Sequence, residues 1–203
     1  KEVASMRLGI PSNYFYDSLD ADVDRLLRDT RKIFEGLKVE IVFVDVPSHD
    51  HINLIWAAAL AAEASTIHRK WLRERPDDYG PMVKRRIEFG LYQPATRYLE
   101  ALTLREKYLR DYCDTVFSKC DALLTPTMPV VAPRYKDLDV GGGESMPELV
   151  LMLSRNTRPI SYLGLPALSV PCGFGAKGLP AAFQLIGRPF SEGKLFRLGN
   201  AYQ

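Results

Sequence analysis

The first 47 residues alternate between strand-like and helix-like patterns of apolar side chains. Met6–Ile10 has the pattern of a strand, and Val39–Val46 is a second run, rich in β-branched residues, that Pro47 closes. Between them, Asp20 is suited to cap a helix whose apolar residues recur at helical spacing, namely Val23, Leu26, Leu27, Ile33, Phe34 and Leu37. This order of strand, helix and strand predicts a right-handed βαβ unit with parallel strands.

Three helices are predicted next. The first runs from Asp50, which we expect to cap it, to about Arg75, because Pro76 stops it. The second covers Pro81–Tyr92, and the third covers about Pro94–Lys119, since proline suits a first turn. The side chains expected to face the core are Ile52, Ile55, Trp56, Ala59, Leu60, Ile67 and Trp71 in the first helix, and Tyr98, Leu99, Leu102, Leu109, Cys113, Val116 and Phe117 in the third.

The remainder of the chain mixes short strands, loops and helices. We expect, in order, a buried strand at Ala122–Leu124, a Pro-rich loop that includes Gly141–Gly143, a helix at Glu148–Arg155, strands at Ala167–Val170 and Ala181–Ile186, and a final helix from Ser191 to Gln203. Glycine and proline between the last two strands favour a hairpin turn, and the first of these strands is expected to be buried. Strands alternating with helices predict one α/β domain.

The charge balance argues against nucleic acid or an anionic membrane as the main partner. The 203 residues include 27 basic and 25 acidic side chains, a net charge of +2. The excess of basic residues between positions 69 and 88 is typical of a solvated helix face. The longest apolar stretch, Ile52–Ala62, is interrupted by Asn53 and is far shorter than the roughly 20 residues that a membrane-spanning helix needs. We therefore expect no transmembrane segment.

The cysteines favour a reducing, cytoplasmic location. The chain has an odd number of cysteines, and they lack the spacing typical of a metal site; they are Cys113, Cys120 and Cys172. The first two lie on one predicted helix, about 10.5 Å apart along its axis, which is too far for a disulfide. A strand that starts at Met6 leaves no room for a signal peptide, and Lys1 in place of Met indicates a cut chain.

Three segments are weak candidates for chemistry. Cys172 follows a predicted strand, but no histidine has a sequence context that links it to this thiol, so a small core residue is favoured over a nucleophile. The His49–His51 segment offers metal-type donors without a second ligand pair, and Asp50 serves more simply as a helix cap. Gly141–Gly143 lacks the Lys-Ser/Thr ending of a phosphate-binding loop.

Two long segments carry a more specific signal. The first reads Asp-Ala-Leu-Leu-Thr-Pro-Thr-Met-Pro at 121–129, with Ala-Pro at 132–133. The second runs from Thr157 to Phe190 and includes Leu-Gly-Leu-Pro-Ala-Leu-Ser-Val-Pro-Cys-Gly-Phe and Gln-Leu-Ile-Gly-Arg-Pro-Phe. Together they closely resemble the carboxyl-terminal half of the amidase signature family, with Ser161 where that family often has Asn and Ala182 where it often has Gly.

The resemblance implies a three-layer α/β/α fold with a mixed β-sheet, of which residues 1–203 form the carboxyl-terminal portion of a single domain. It implies hydrolysis of a carboxamide C–N bond through an acyl-enzyme, without a cofactor or a metal. The catalytic Ser-Ser-Lys triad of the family lies in the amino-terminal half, partly in a glycine-rich serine stretch that this chain lacks. No catalytic residue is therefore assigned here.

The same resemblance places the loop of Thr125, Pro126 and Thr127 near the substrate pocket. The threonine hydroxyls either bond a polar substrate or satisfy the turn after a strand. Tyr162 is a further candidate for the pocket, although a tyrosine in this setting is more often a core residue with a satisfied hydroxyl.

Three hypotheses follow from these observations. The chain is part of an amidase that acts on a small-molecule amide, or a non-catalytic assembly subunit, or a different enzyme that uses Cys172 or the histidines. Within the family, the alternative to an amidase is the A subunit of a tRNA-dependent amidotransferase. Exposed strand edges and apolar helix faces are expected to favour self-association or a partner chain that carries the amino-terminal half.

Overall fold

The computed structural model describes residues 3–134 and 146–203, so Gly141–Gly143 lie outside the described residues. Short 3-10 turns, Pro76–Asp78 and Gly90–Tyr92, flank the third helix. The remaining elements are β1 (Arg7–Pro11), α1 (Ala21–Gly36), β2 (Glu40–Val44), α2 (Asp50–Glu74), α3 (Pro81–Phe89), α4 (Ala95–Thr115), β3 (Ala122–Pro126), α5 (Met146–Leu153), α6 (Arg158–Leu163), β4 (Ala167–Phe174), β5 (Pro180–Gly187) and α7 (Glu192–Tyr202).

The described strands form one mixed sheet in the order β2-β1-β3-β5-β4. Strand β1 pairs in parallel with β2 and with β3, with Leu8 opposite Ile41 on one side and Ala122 on the other. Strand β5 runs antiparallel to both β3 and β4, with Leu185 opposite Leu124 and Leu168. The predicted parallel βαβ unit and the predicted hairpin are both confirmed.

Helices cover both faces of the sheet, which gives the three layers. Leu123 and Leu124 are neighbours on β3 and point to opposite faces, because successive side chains in a strand alternate. Leu123 packs with buried side chains of α2, α4 and α6. Leu124 packs with buried side chains of α1 and α7 on the other face. The α/β fold class predicted from the sequence is therefore confirmed.

Helix α1 forms as its pattern predicts. The Asp20 carboxylate accepts a hydrogen bond of 2.8 Å from the backbone N–H of Asp22, so that it satisfies one of the free donors in the first turn. Val23, Leu26, Leu27 and Phe34 are buried against the sheet, while Ile33 is 44% exposed. One apolar stripe thus fixes the helix on its face of the sheet.

The predicted apolar face of α2 is correct only for its amino-terminal half. Ile52, Ile55 and Ala59 are buried, whereas the exposed fractions are 68% for Ile67 and 42% for Trp71, and Leu60 is also exposed. A helix of 25 residues is about 37 Å long, longer than the short strands it covers, and it also packs against α3 and the neighbouring 3-10 turns. The residue at the cap position is His49 rather than Asp50, and its side chain makes no capping bond.

The inward face of α4 is shifted from the predicted one. Ala101 and Tyr112 are buried, but Leu99 and Leu102 are 59% and 44% exposed. The helix ends at Thr115, so Val116, Phe117 and Cys120 lie in the turn that follows it. Ala101 faces α6, where the Tyr162 hydroxyl donates to its backbone carbonyl.

Strand β4 and helix α6 also differ from the prediction. Strand β4 extends to Phe174 and only Val170 is buried, because β4 is an edge strand with an open face. Helix α6 is absent from the prediction, although Pro159 near its start and the left-handed Gly164 at its end, with φ of 69°, are typical helix boundaries. The Ser191 hydroxyl donates to the Arg188 carbonyl at 2.7 Å and does not cap α7.

Candidate functional site

Three parallel strands end at the same edge of the sheet. Strands β1, β2 and β3 have their last residues at Pro11, Val44 and Pro126. The loops that follow these strands therefore meet, as they do at the ligand-binding edge of open α/β sheets. Two sites lie here, a row of polar side chains after β3 and a cleft beyond β1 and β2.

Polar side chains form a row across β3, β5 and β4. Gln184 on β5 pairs with Thr125 on one side and with Ser169 on the other, so the three residues share one face of the sheet. The hydroxyls of Thr127 and Ser169 lie 3.1 Å apart, within hydrogen-bond distance. Thr125 is fully buried and its hydroxyl has no hydrogen-bond partner among the described residues. Thr127 is only half-buried and is the more accessible threonine.

Asn156 connects this row to the segment that precedes α6. Its side-chain N–H donates to the Pro126 carbonyl, and its backbone carbonyl accepts a hydrogen bond from Nε2 of Gln184, both at 3.0 Å. The Oδ1 atom of Asn156 is buried without a partner in the described part of the chain. We call Thr125, Thr127, Asn156, Ser169 and Gln184 the polar row. Sequence reasoning missed Asn156, Ser169 and Gln184, although a glutamine within an apolar strand was a usable signal.

Tyr162 does not join the polar row. It is 7% exposed and its hydroxyl donates to the carbonyl of Ala101 on α4. Burial raises the pKa of Tyr162 to about 12, so the phenol stays protonated and available as a donor. The structure therefore favours the core alternative for this residue.

A cleft of about 620 Å³ includes Arg155, the residue next to Asn156 of the polar row. Its walls come from the loops after β1 and β2, from the first turn of α2 and from the segment between Leu151 and Arg158. Asn13 fixes the loops, because its side chain donates to the Val46 carbonyl at 3.0 Å and accepts from the Val46 N–H at 2.9 Å. This volume is suited to a small molecule.

His49 forms a buried wall of the cleft. Its ring stacks on Tyr14 with centroids 4.1 Å apart, and its Nε2 lies 2.7 Å from the Tyr112 hydroxyl. Burial, with a smaller contribution from the Arg155 charge, lowers the pKa of His49 to about 4. The imidazole is therefore neutral at pH 7.

The histidines of the His49–His51 segment contact different tyrosines and do not converge on a metal site. The Nδ1 atom of His51 lies 2.5 Å from the Tyr108 hydroxyl, a contact separate from that of His49 with Tyr112. No cluster of three or more His, Cys, Asp or Glu residues with metal-binding geometry occurs in residues 3–134 and 146–203.

The described cysteines are unsuited to nucleophilic catalysis. Cys113, Cys120 and Cys172 are free thiols. Burial raises the pKa of each, to about 11 for Cys120, so the reactive thiolate is scarce at neutral pH. The structure therefore disfavours the alternative in which Cys172 attacks a substrate.

Comparisons with known proteins place the chain in a family. A family model described as Amidase matches residues 1–196. The chain is 34% identical over 202 residues to an amidase of Pseudomonas putida, matching 99% of the chain and 43% of that protein. It is 32% identical to the A subunit of the glutamyl-tRNA(Gln) amidotransferase of Myxococcus xanthus (strain DK1622), matching 99% of the chain and 45% of that protein.

The structural comparison agrees with the sequence comparison. A crystal structure of an amidase superposes with a TM-score of 0.84 at 25% identity, covering 98% of this chain and 45% of the other. The chain thus spans less than half the length of the relatives it matches. Among the described residues, no helix is both long and apolar enough to cross a membrane.

Proposed function

Since the chain belongs to the amidase signature family, we propose that it supplies a substrate-pocket wall to an enzyme that hydrolyses a carboxamide to a carboxylate and ammonia or an amine. The observation that carries this proposal is the polar row at the carboxyl edge of the parallel strands. In a sheet face that is otherwise apolar, these groups are the ones suited to bond a polar amide. Thr127 is the candidate contact because its hydroxyl is accessible, and Asn156 and Gln184 position its loop.

The proposed reaction proceeds through a covalent acyl-enzyme. A serine oxygen attacks the amide carbon, the C–N bond breaks, and the nitrogen leaves after it receives a proton. Water then hydrolyses the serine ester to the carboxylate and frees the serine. A lysine that acts through a second serine accepts and returns the proton, so the proposed reaction needs no metal and no cofactor.

We place this Ser-Ser-Lys triad outside the 203 residues. In support, described serine hydroxyls such as those of Ser118, Ser154 and Ser191 donate to backbone carbonyls. Within the described ranges, no lysine ammonium lies within hydrogen-bond distance of a serine hydroxyl, whereas Lys194, for example, pairs with Asp121 at 2.7 Å. The chain is thus proposed as one portion of a single amidase domain.

Exposed apolar surface supports association with further polypeptide. Leu54, Ile67 and Phe89 on α2 and α3 are 70%, 68% and 61% exposed, and β4 has an unpaired edge among the described strands. Such surfaces favour a partner. We propose that the partner carries the amino-terminal half, with self-association as the alternative. The three free thiols support a reducing, cytoplasmic compartment.

A second candidate function is that of the A subunit of a tRNA-dependent amidotransferase. It is favoured by the 32% identity to a protein of that name, which is close to the 34% identity to an amidase. The two functions differ in their natural amide, since the amidotransferase component releases ammonia from glutamine for a partner. A comparison of glutamine with simple carboxamides as substrates separates them.

Replacing Thr127 with valine is expected to lower kcat/KM for carboxamide hydrolysis by at least tenfold, because the substrate loses a hydrogen bond at an isosteric position. The assay follows ammonia release by the complemented sample, in which this chain is mixed with a second polypeptide that carries the part of the Pseudomonas putida amidase outside the matched region.

Thr103→Val is the matched control, because Thr103 is exposed on α4 and donates only to the Leu99 carbonyl within its own helix. It is expected to leave kcat/KM unchanged. An equal kcat/KM for Thr127→Val and for the unmodified chain contradicts a substrate contact at Thr127.

A further inference from the structure

The guanidinium of Arg158 lines the cleft without a compensating charge. Its Nη2 donates to the Leu151 carbonyl at 3.0 Å, and its Nε is buried with no partner among the described residues. Its carbon centre lies 5.5 Å from the centroid of the Trp56 ring. No carboxylate of a described residue lies within 4 Å of it. A half-buried cation of this kind is costly unless an anion pairs with it.

The other charges around the cleft are already engaged or exposed. Arg155 donates to the Asp17 carbonyl at 3.0 Å, lies 3.7 Å from the Asp17 carboxylate, and stacks over Tyr14 at 4.6 Å. Asp50 is exposed and contacts Ser48. Among the described residues, Arg158 is therefore the cation in this cleft that lacks an anionic partner.

Further unpaired polar atoms surround the same cleft. The Nδ1 atom of His49, a residue only 1% exposed, and the Oδ1 atom of Asn53 have no hydrogen-bond partner in the described ranges. Both residues line the cleft with Arg158. Buried polar atoms are normally hydrogen-bonded, so unpaired atoms on two residues that line the cleft with Arg158 set this wall apart from an ordinary packed surface.

We propose that this cleft binds the carboxylate of a small amide-bearing carboxylic acid, with the Arg158 guanidinium as its anchor. A guanidinium matches the planar carboxylate with two parallel hydrogen bonds. Asp17 and Asp50 at the rim disfavour ligands with several negative charges. The inference rests on the proposed function, because Asn156 links this segment to the polar row where the amide would bind.

Binding of succinamate, which has one carboxylate and one amide, tests the inference directly by calorimetry on the 203-residue protein. Succinamide, its neutral counterpart, is expected to bind at least tenfold more weakly. Arg158→Met is expected to weaken succinamate binding at least tenfold and to remove the preference over succinamide. Arg158→Lys keeps the charge but not the paired geometry, so an intermediate loss is expected.

Arg28→Met is the matched control, since Arg28 is an exposed arginine on α1 that pairs with Asp24 at 2.9 Å. It is expected to bind succinamate like the unmodified protein, and thermal melts show whether each variant is folded. The inference is overturned if succinamate and succinamide bind equally, if neither binds, or if folded Arg158→Met and Arg158→Lys both retain full affinity.

Two sources of the carboxylate are separated by kinetics in the complemented sample. If the carboxylate belongs to the substrate, Arg158→Met raises KM for succinamate and leaves KM for succinamide unchanged. If it belongs to a separate effector, succinate changes the hydrolysis of succinamide, and this effect disappears in Arg158→Met. Direct binding without any hydrolysis supports the carboxylate site while contradicting the proposed function, so the two failures are distinguishable.

Discussion

Lowering the pH from about 6.5 to about 4 is expected to reduce the free energy of unfolding by about 3 kcal/mol through His49 alone. In the folded protein, burial and then the Arg155 charge hold the pKa of His49 at about 4, while the unfolded chain has the ordinary value of 6.5. Between these two values the unfolded chain binds the extra proton. The contribution is therefore fully present above pH 6.5, decreases as the pH falls, and levels off below about 4.

Urea denaturation at a series of pH values measures this effect. In His49→Gln, the free energy of unfolding is expected to change less between pH 6.5 and 4, and the difference from the unmodified protein is about the contribution of His49. His51→Gln is a matched control, because His51 also contacts a tyrosine hydroxyl but is exposed. A slope that is unchanged in His49→Gln would show that His49 is not held neutral by burial.

Gly90→Ala is expected to destabilise the protein by about 3 kcal/mol or more. A Cβ at this position would overlap with the backbone carbonyl of Ala61 and the hydroxyl of Ser65, both on α2. Backbone atoms within a helix cannot move aside, so the 3-10 turn at Gly90–Tyr92 must separate from α2. The change in the unfolding midpoint in urea measures the cost.

Gly193→Ala provides the matched control. Gly193 lies in α7, and among the described residues a Cβ there would meet no atom within 4 Å apart from its chain neighbours and the backbone of its own helix. Because alanine has a higher helix propensity than glycine, this substitution is expected to raise stability by up to about 1 kcal/mol. Equal stabilities of the two variants would mean that α2 and the 3-10 turn are packed less closely than the structure shows.

The sequence predicts best those elements whose pattern is local. Strands β1 and β2 and helix α1 are set by β-branched runs, by the Asp20 cap and by one apolar stripe, and they form as predicted. The prediction that β4 is buried is wrong, because burial depends on which strand lies beside it. In the described sheet, β4 is at an edge. Sequence periodicity carries no information on that neighbour.

The candidate site follows the same division. The family resemblance locates Thr125 and Thr127, but only the pairing of β3 with β5 brings Gln184 beside them. Asn156 reaches Pro126 through a contact between residues 30 positions apart. Tyr162 is a candidate because it lies near the motif in sequence, yet its hydroxyl points to α4. Proximity in the chain therefore identifies the loop but not its polar partners.

A serine-directed fluorophosphonate probe, read by intact mass, tests most directly whether the catalytic triad lies outside this chain. The 203-residue chain alone is expected to gain no probe mass, because no described serine hydroxyl has a lysine partner, and several, such as those of Ser118 and Ser154, donate to backbone carbonyls instead. In the complemented sample, the probe mass is expected on the second polypeptide, together with ammonia release. Probe mass on the 203-residue chain, removed by replacing one of its own serines, would contradict this placement of the nucleophile.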